Sequence, residues 1–238
     1  MKPHVVILTG AGISAESGLP TFRDANGVWE GHRFEDVATP EAFQRDPELV
    51  HRFYNLRRAA AIRVAPNAAH AAIARLEAAL PEHCLLVTQN IDGLHQRAGS
   101  QPLCMHGEIA KARCASCGEI SECPGDLDTA SVCQACSATG SLRPHVVWFG
   151  EMPLFLDEIS EALARCDYFL SIGTSGHVYP AAGFARMANQ SGARCIEFNV
   201  AETMTSRDFH EHITGPATET VPLWISEFAR GHGIEISS

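Results

Sequence analysis

The sequence predicts an α/β protein built on a parallel sheet and interrupted by two insertions. Three observations carry this. Apolar, largely β-branched runs recur at HVVILTG (4–10), CLLVTQN (84–90), YFLSIGTS (168–175) and RCIEFNV (194–200). Such runs without polar alternation suit strands buried on both faces. Helix-period segments separate them, and alternating strands and helices make a parallel sheet. Two stretches break the pattern, one helical after the first unit and one rich in cysteine in the middle.

Taken in order, strand 4–10 ends in glycine and a helix should follow from Gly12. Residues 25–66 lack strand character and hold helical pieces, chiefly PELVHRFYNLRRAAAIRV, which Pro66 ends. Residues 67–80 form a helix with Asn67 as N-cap. The second core strand is 84–90, with a short one at PLCMHG. Residues 108–145 are the cysteine-rich insertion, and the core pattern returns at HVVWFG. There follow a helix around 156–165, strand 168–175, a helix around 180–191, strand 194–200 and a terminal helix near 221–230. Ligands of parallel sheets bind beyond the carboxyl ends of the strands. Gly10, Gln89–Asp92, Gly173–Ser175 and Asn199 all fall there.

The chain has 238 residues, 45% of them apolar, enough for one sizeable domain or a domain with a small satellite. Its formal net charge of -10 and only two lysines, Lys2 and Lys111, argue against direct nucleic-acid binding, which needs a basic footprint. A negative surface would instead attract basic proteins. The first apolar run is too short for a signal-peptide core, and no segment approaches the roughly 18 apolar residues of a membrane span. A soluble, cytoplasmic protein that does not bind membranes is expected.

GAGISAESG (10–18) places Gly10 and Gly12 after a strand, with Ala15 at the third small position of a dinucleotide-binding turn. The same glycines also suit a strand-to-helix turn that needs them only for its geometry. No acidic second-strand end follows within about 20 residues, which argues against a hydride-transferring dehydrogenase. Cys114, Cys117, Cys133 and Cys136 are spaced C-x2-C-x15-C-x2-C. Two such knuckles present four thiolates to one zinc, in a closed and therefore structural site; the alternative is a pair of redox motifs. In QNIDGLH (89–95), Asn90 and Asp92 can orient a ribose or an amide. His106, in MHGE at a strand end, is the candidate general base among twelve histidines. In FYNLRR (53–58), Tyr54 and Arg57 stand at i and i+3 and share a helix face, while Arg58 points about 100° away. A phenol beside a guanidinium suits a carboxylate. The bland alternative has Tyr54 packed in the core and Arg57 solvated.

Together GAGISAESGLPTFR, TQNIDGLH, MHGE, the two CxxC knuckles, WFGE, IGTSGHVYPAAG and EFNV resemble the sirtuins, NAD-dependent protein lysine deacylases, over roughly residues 4–230. The resemblance implies a Rossmann-like parallel sheet domain made of residues 1–30, 67–107 and 146–238. It also implies a smaller zinc-binding and helical domain made of residues 31–66 and 108–145, with the active site in the cleft between. By similarity, Gly10, Ala11, Gly12, Phe22 and Arg23 form the NAD loop. Gln89, Asn90, Ile91 and Asp92 line the nicotinamide and ribose pocket. Gly173, Thr174 and Ser175 contact phosphate and ribose, and Asn199, Val200, Ala201 and Ala217 the adenosine end. His106 matches the catalytic base. Residues 146–151 match a strand that pairs with the substrate backbone, with Val147, Phe149 and Gly150 at the substrate. The Tyr54–Arg57 pair matches the branch that removes acidic acyl groups.

The implied reaction consumes NAD and yields free lysine, nicotinamide and O-acyl-ADP-ribose, with one structural zinc, acyl-lysine proteins as partners and a monomeric chain. Two other readings use the same features. One is an NAD-dependent ADP-ribosyltransferase, told apart by a stable ADP-ribosyl adduct. The other is a non-catalytic zinc- and NAD-binding module, told apart by the absence of nicotinamide release.

Overall fold

The first apolar run forms β1 (Val5–Thr9), buried at all five positions. Its side chains alternate between two layers, Val5 and Ile7 entering one core and Val6 and Leu8 the other. With both faces covered there is no wet side to demand polar alternation. The computed structural model describes residues 2–21, 28–29 and 31–236, with Val28 and Trp29 described by backbone alone.

After α1 (Gly12–Ala15) come β2 (Val28–Trp29) and β3 (His32–Arg33), then α2 (Phe34–Val37), α3 (Pro40–Arg45), α4 (Pro47–Arg63) and α5 (Ala68–Ala79). The chain continues through β4 (Cys84–Thr88), α6 (Leu94–Arg97), β5 (Leu103–Cys104), β6 (Gly107–Cys114), β7 (Ile120–Glu122) and β8 (Leu142–Val146). It closes with α7 (Leu156–Leu163), β9 (Tyr168–Ile172), α8 (Phe184–Gln190), β10 (Arg194–Asn199), β11 (Glu211–Thr214) and α9 (Ala217–His232).

Among the described residues, the main sheet has the order β11-β10-β9-β1-β4-β5 with every pair parallel. The chain winds from β1 toward β5 and returns through β9 on the other side. The order therefore reverses between β1 and β9, and the crevice outside their carboxyl ends is where such sheets take ligands. α5 and α9 cover the face of Val5 and Ile7; α7 and α8 cover the other. Ile7, Ile73, Leu76 and Leu86 are fully buried, each contributing about 1.5–3 kcal/mol. Asn67 caps α5 as its residue type implies, accepting from Ala69 N and His70 N, while the His70 ring accepts from the Asn67 backbone.

β6, β7 and β8 make a separate antiparallel sheet of order β7-β6-β8. Two expectations change here, and one strand was not anticipated. Residues 25–66 do hold strands, the short antiparallel pair β2–β3. HVVWFG does not return to the main sheet: β8 pairs with β6 and ends at Val146. Its apolar residues serve a third core, where Val146 and Trp148 pack with Val37, Val50, Phe53 and Tyr54 of the helical layer. β11, with its polar EHIT sequence, carries no apolar run and lies at the sheet edge, where Ile213 packs, half-buried, against the first core. Among the described residues no helix is long and apolar enough to cross a membrane.

Two buried histidines lie beneath the sheet's carboxyl end. The His70 and His95 rings are 4.7 Å apart, and both are essentially inaccessible. Burial lowers His70 to about 4 and His95 to about 3. Both are neutral when folded, whereas in the unfolded chain they take up protons below about 6.5. Below that pH the unfolded state binds more protons, so stability is full above about 6.5 and falls as pH drops toward 4, by roughly 1.4 kcal/mol per histidine per unit. Urea unfolding at about pH 7 and about pH 5 should show this loss, reduced in His70→Gln. A pH-independent unfolding energy would contradict it.

Candidate active site

The site begins where β1 and β9 end. Gly10 N donates to Ile172 O at 3.0 Å and Gly12 N to Gly173 O at 2.9 Å, so the two following turns lie against each other. A β-carbon on Gly12 would sit 2.6 Å from Gly173 Cα, and one on Gly10 2.8 Å from Gly173 O. Gly173 itself has φ +62°, in the left-handed region. These glycines therefore meet a neighbouring turn first, and the turn-geometry reading of their spacing holds alongside their place in the cavity wall.

The loop after β4 is tied to the same turn. Asn90 Nδ2 donates to Gly10 O at 3.0 Å and to Ser14 Oγ at 3.2 Å, and Ser14 Oγ donates to Asp92 at 2.7 Å. Beneath them Thr9 Oγ1 donates to Thr88 Oγ1, which also accepts from Asn90 N. The Thr9 hydroxyl has one proton and spends it on Thr88, so it accepts from His95 Nε2 at 2.9 Å.

His106 follows β5. Its Nδ1 lies 3.1 Å from Gln89 O. A carbonyl can only accept, so Nδ1 carries the proton and Nε2 is the basic nitrogen. Burial pulls its pKa below the ordinary histidine value, and the hydrogen bond to Gln89 opposes this only in part. His106 is thus an unprotonated base at neutral pH, held by its backbone as well: His106 O accepts from Val147 N at 2.9 Å.

At the far end, Asn199 closes β10. Its Nδ2 donates to Thr174 O at 2.8 Å, fixing the turn after β9. Buried Glu197 accepts from Thr203 Oγ1 and Ser206 Oγ, both at 2.6 Å, and so anchors the loop that follows Val200 and Ala201. The Glu16 carboxylate accepts from Thr218 N and Oγ1 at the start of α9, beside Ala217.

α4 supplies the opposite wall. Its N-terminus is fixed by Asp46, whose side chain accepts from Leu49 N, and by Pro47 in the first turn. The helix uses two faces. Asn55 pairs with the backbone of Leu127 in both directions, and Arg58 donates to Ile109 O at 2.8 Å, both toward the cysteine-rich segment. Tyr54 and Arg57 face the cavity. Tyr54 is fully buried, which holds its phenol protonated far above neutral pH, and its oxygen accepts from Trp148 Nε1 at 3.0 Å. The packed-tyrosine reading and the cavity-lining reading are therefore both true of this residue.

These parts enclose one cavity of about 1130 Å³. Apart from the four cysteines, it brings together every sequence-predicted site residue that the structure describes: Gly10, Ala11, Gly12, Gln89, Asn90, Ile91, Asp92, His106, Gly173, Thr174, Ser175, Asn199, Val200, Ala201 and Ala217, with Tyr54, Arg57, Val147, Phe149 and Gly150. Phe22 and Arg23 lie outside the described residues. Beyond Val146 the expected strand is instead a turn: Phe149 N donates to Ala38 O, Glu151 N to Trp148 O, and Gly150 has φ +90°. Sequence reasoning missed Ser14, Glu16 and Trp148 as lining residues. Ser14 and Glu16 belong to the glycine turn GAGISAESG and Trp148 to WFGE, and no local spacing distinguishes them as lining.

The four cysteines converge apart from the cavity. Their sulfurs lie within 4.8 Å of one another, with Cys114–Cys136 at 3.7 Å and Cys117–Cys133 at 3.8 Å. Tetrahedral zinc with bonds of about 2.3 Å requires sulfurs about 3.8 Å apart. The donor set fits zinc and can hold it with no open position for water.

Comparison with known proteins agrees. A family model described as the Sir2 family matches residues 10–180. A Yersinia pseudotuberculosis protein named NAD-dependent protein deacylase is 54% identical over 230 residues, 95% of this chain and 83% of that protein. The crystal structure of a Sir2 homolog–NAD complex superposes with a TM-score of 0.87 at 38% identity, over 96% of this chain and 90% of that one. Sir2Af2 bound to a myristoylated histone peptide superposes at 0.74 with 34% identity, over 97% and 92%.

Proposed function

Since the chain belongs to the Sir2 family and is an NAD-dependent protein deacylase, we propose that it removes succinyl and malonyl groups from protein lysines, and acetyl groups as well. The observation that carries the reading is that Tyr54 and Arg57 line the same cavity as His106. Arginine offers a planar two-point fork and a neutral phenol adds a third donor, which together match a carboxylate at the end of an acyl chain.

NAD, when bound, would supply an electrophilic ribose carbon for the acyl oxygen; with one water consumed, the products are nicotinamide, free lysine and O-acyl-ADP-ribose. The chain's own residues divide the remaining work. The turns of Gly10–Gly12 and Gly173–Ser175 hold phosphate and ribose, and Asn199, Val200, Ala201 and Ala217 the adenosine end. Asn90 and Asp92, fixed by Ser14, orient the nicotinamide side. His106 accepts a proton at Nε2. Val147, Phe149 and Gly150 meet the substrate peptide. A solved relative bound to an acylated histone peptide supports acyl-lysine proteins as the substrate class.

The test pairs succinyl-, malonyl- and acetyl-lysine peptides with NAD and reads nicotinamide release and product mass. Arg57→Met should lower kcat/KM on the succinyl peptide roughly ten- to hundredfold, the worth of a charge-assisted contact of about 1.5–3 kcal/mol. The acetyl peptide, lacking a carboxylate, should be affected far less. Equal losses on both, or none on the succinyl peptide, would return the pair to packing and solvation.

A further inference from the structure

The contact between Tyr54 and Trp148 does more than fill space. The indole N–H can only donate, so the bond at 3.0 Å has one direction, from Trp148 Nε1 to the phenol oxygen. A phenol O–H lies in the plane of its ring, with two positions open to it. The indole occupies one of them with a donor, and the proton of Tyr54 must be given on the other side. That makes Tyr54 a donor, rather than an acceptor, toward whatever it meets in the cavity. An acceptor there would oppose a carboxylate; a donor receives one.

Trp148 is itself bracketed. It is 2% exposed, and the Arg143 guanidinium carbon stands 3.4 Å from the ring centroid. Arg143 bonds both oxygens of Glu151, at 2.6 and 2.9 Å, and donates to Val146 O at 2.7 Å. Glu151 accepts from the backbone N of Trp148 at 2.8 Å. The indole is thus fixed through its ring face and its main chain, both outside the tyrosine contact. An ion pair this well shaped, packed on the indole face and tied to the Trp148 backbone, is accounted for if the position of the indole matters.

We propose that Trp148 is a positioning residue for acyl-group selection: its N–H sets the Tyr54 phenol as a donor toward a carboxylate-bearing acyl chain, and the Arg143–Glu151 pair holds the indole in register. The inference rests on the acidic-acyl reading above. Two variants test it, Trp148→Phe and replacement of Trp148 by benzothienylalanine, which keeps the shape of the ring and puts sulfur in place of N–H. The second decides the matter should the first fail to fold. Either should lower kcat/KM on the succinyl peptide about five- to tenfold, roughly one hydrogen bond, through KM rather than kcat. The acetyl peptide should lose clearly less, so that the succinyl-to-acetyl ratio of kcat/KM falls. Tyr54→Phe should cost less in the benzothienylalanine background than in wild type, because the two groups act as one. Equal loss on both peptides, or full additivity with Tyr54→Phe, would make Trp148 a packing residue only. Arg57→Met run alongside separates the two levels. If it shows no succinyl-selective loss, the acidic-acyl reading fails; if it does while the benzothienylalanine variant spares the succinyl peptide, only the role of Trp148 fails.

Discussion

His106→Ala is expected to lose deacylase turnover by about 10²–10⁴-fold, the usual worth of a general base, while NAD affinity changes little. Nδ1 is committed to Gln89 O, so removing the ring takes away Nε2 as base and leaves the Asn90–Asp92–Ser14 set standing. The pH profile adds a second reading. Burial lowers the His106 pKa, so the base is present above that value and lost as pH falls through it. The acid limb of kcat/KM should therefore lie below about 6.5, the unperturbed histidine value, and should vanish from the residual activity of the variant. Retention of a substantial fraction of the wild-type rate would overturn the assignment. His95 and His145 would then be next, although His95 is buried and engaged with Thr9.

The second large effect concerns the cysteines. Cys114→Ser or Cys136→Ser is expected to leave insoluble or sharply destabilised protein. The reason lies in how little else holds that segment. Its own core among the described residues is Ala112, Cys123 and Leu127 with Leu142 packed against them. Four small or mid-sized side chains are a thin core for a segment this long, which must be ordered against its chain entropy. A structural zinc supplies on the order of 10 kcal/mol, which such a segment needs. Loss should spread, because Asn55 and Arg58 of α4 bond directly to Leu127 and Ile109 and the same helix presents Tyr54 and Arg57. Thermal unfolding with and without chelator, with metal content measured in parallel, checks this. A well-folded, metal-free variant of full activity would rule it out.

The main sheet was legible because β1, β4, β9 and β10 are buried on both faces, and burial writes itself as an unbroken apolar run. The cavity followed from the same strands, since their carboxyl ends carry Gly10, Gln89, Gly173 and Asn199. What stayed hidden depended on partners distant in sequence. HVVWFG reads as apolar whether it joins the parallel sheet or the helical layer, and only pairing with β6 decides. β11 lies at an edge and sends only Ile213, partly buried, against a core, so its residues need no continuous apolar run. The two glycines of the first turn announced a tight bend, but nothing local named Gly173 as the group they approach. In FYNLRR the spacing put Tyr54 and Arg57 together; that Asn55 and Arg58 reach the cysteine-rich segment depended on partners 51 to 72 positions away in the chain.

The crossing of Gly10 and Gly12 over Gly173 has a mechanical result. Two turns in backbone contact, joined by hydrogen bonds and with no side chain between them, cannot slide past each other without first parting. The turn that opens toward His106 and the turn that opens toward Asn199 are therefore one rigid body, although more than 160 residues separate them in the chain. On the proposed assignment of both turns to NAD, a dinucleotide stretched across them would find its two halves already at fixed spacing, so binding would order one body instead of two and lose less entropy on association. It follows that whatever motion admits substrate and releases product leaves this hinge-free seam intact, and that a single methyl group at Gly12 would act on both ends of the ligand at once.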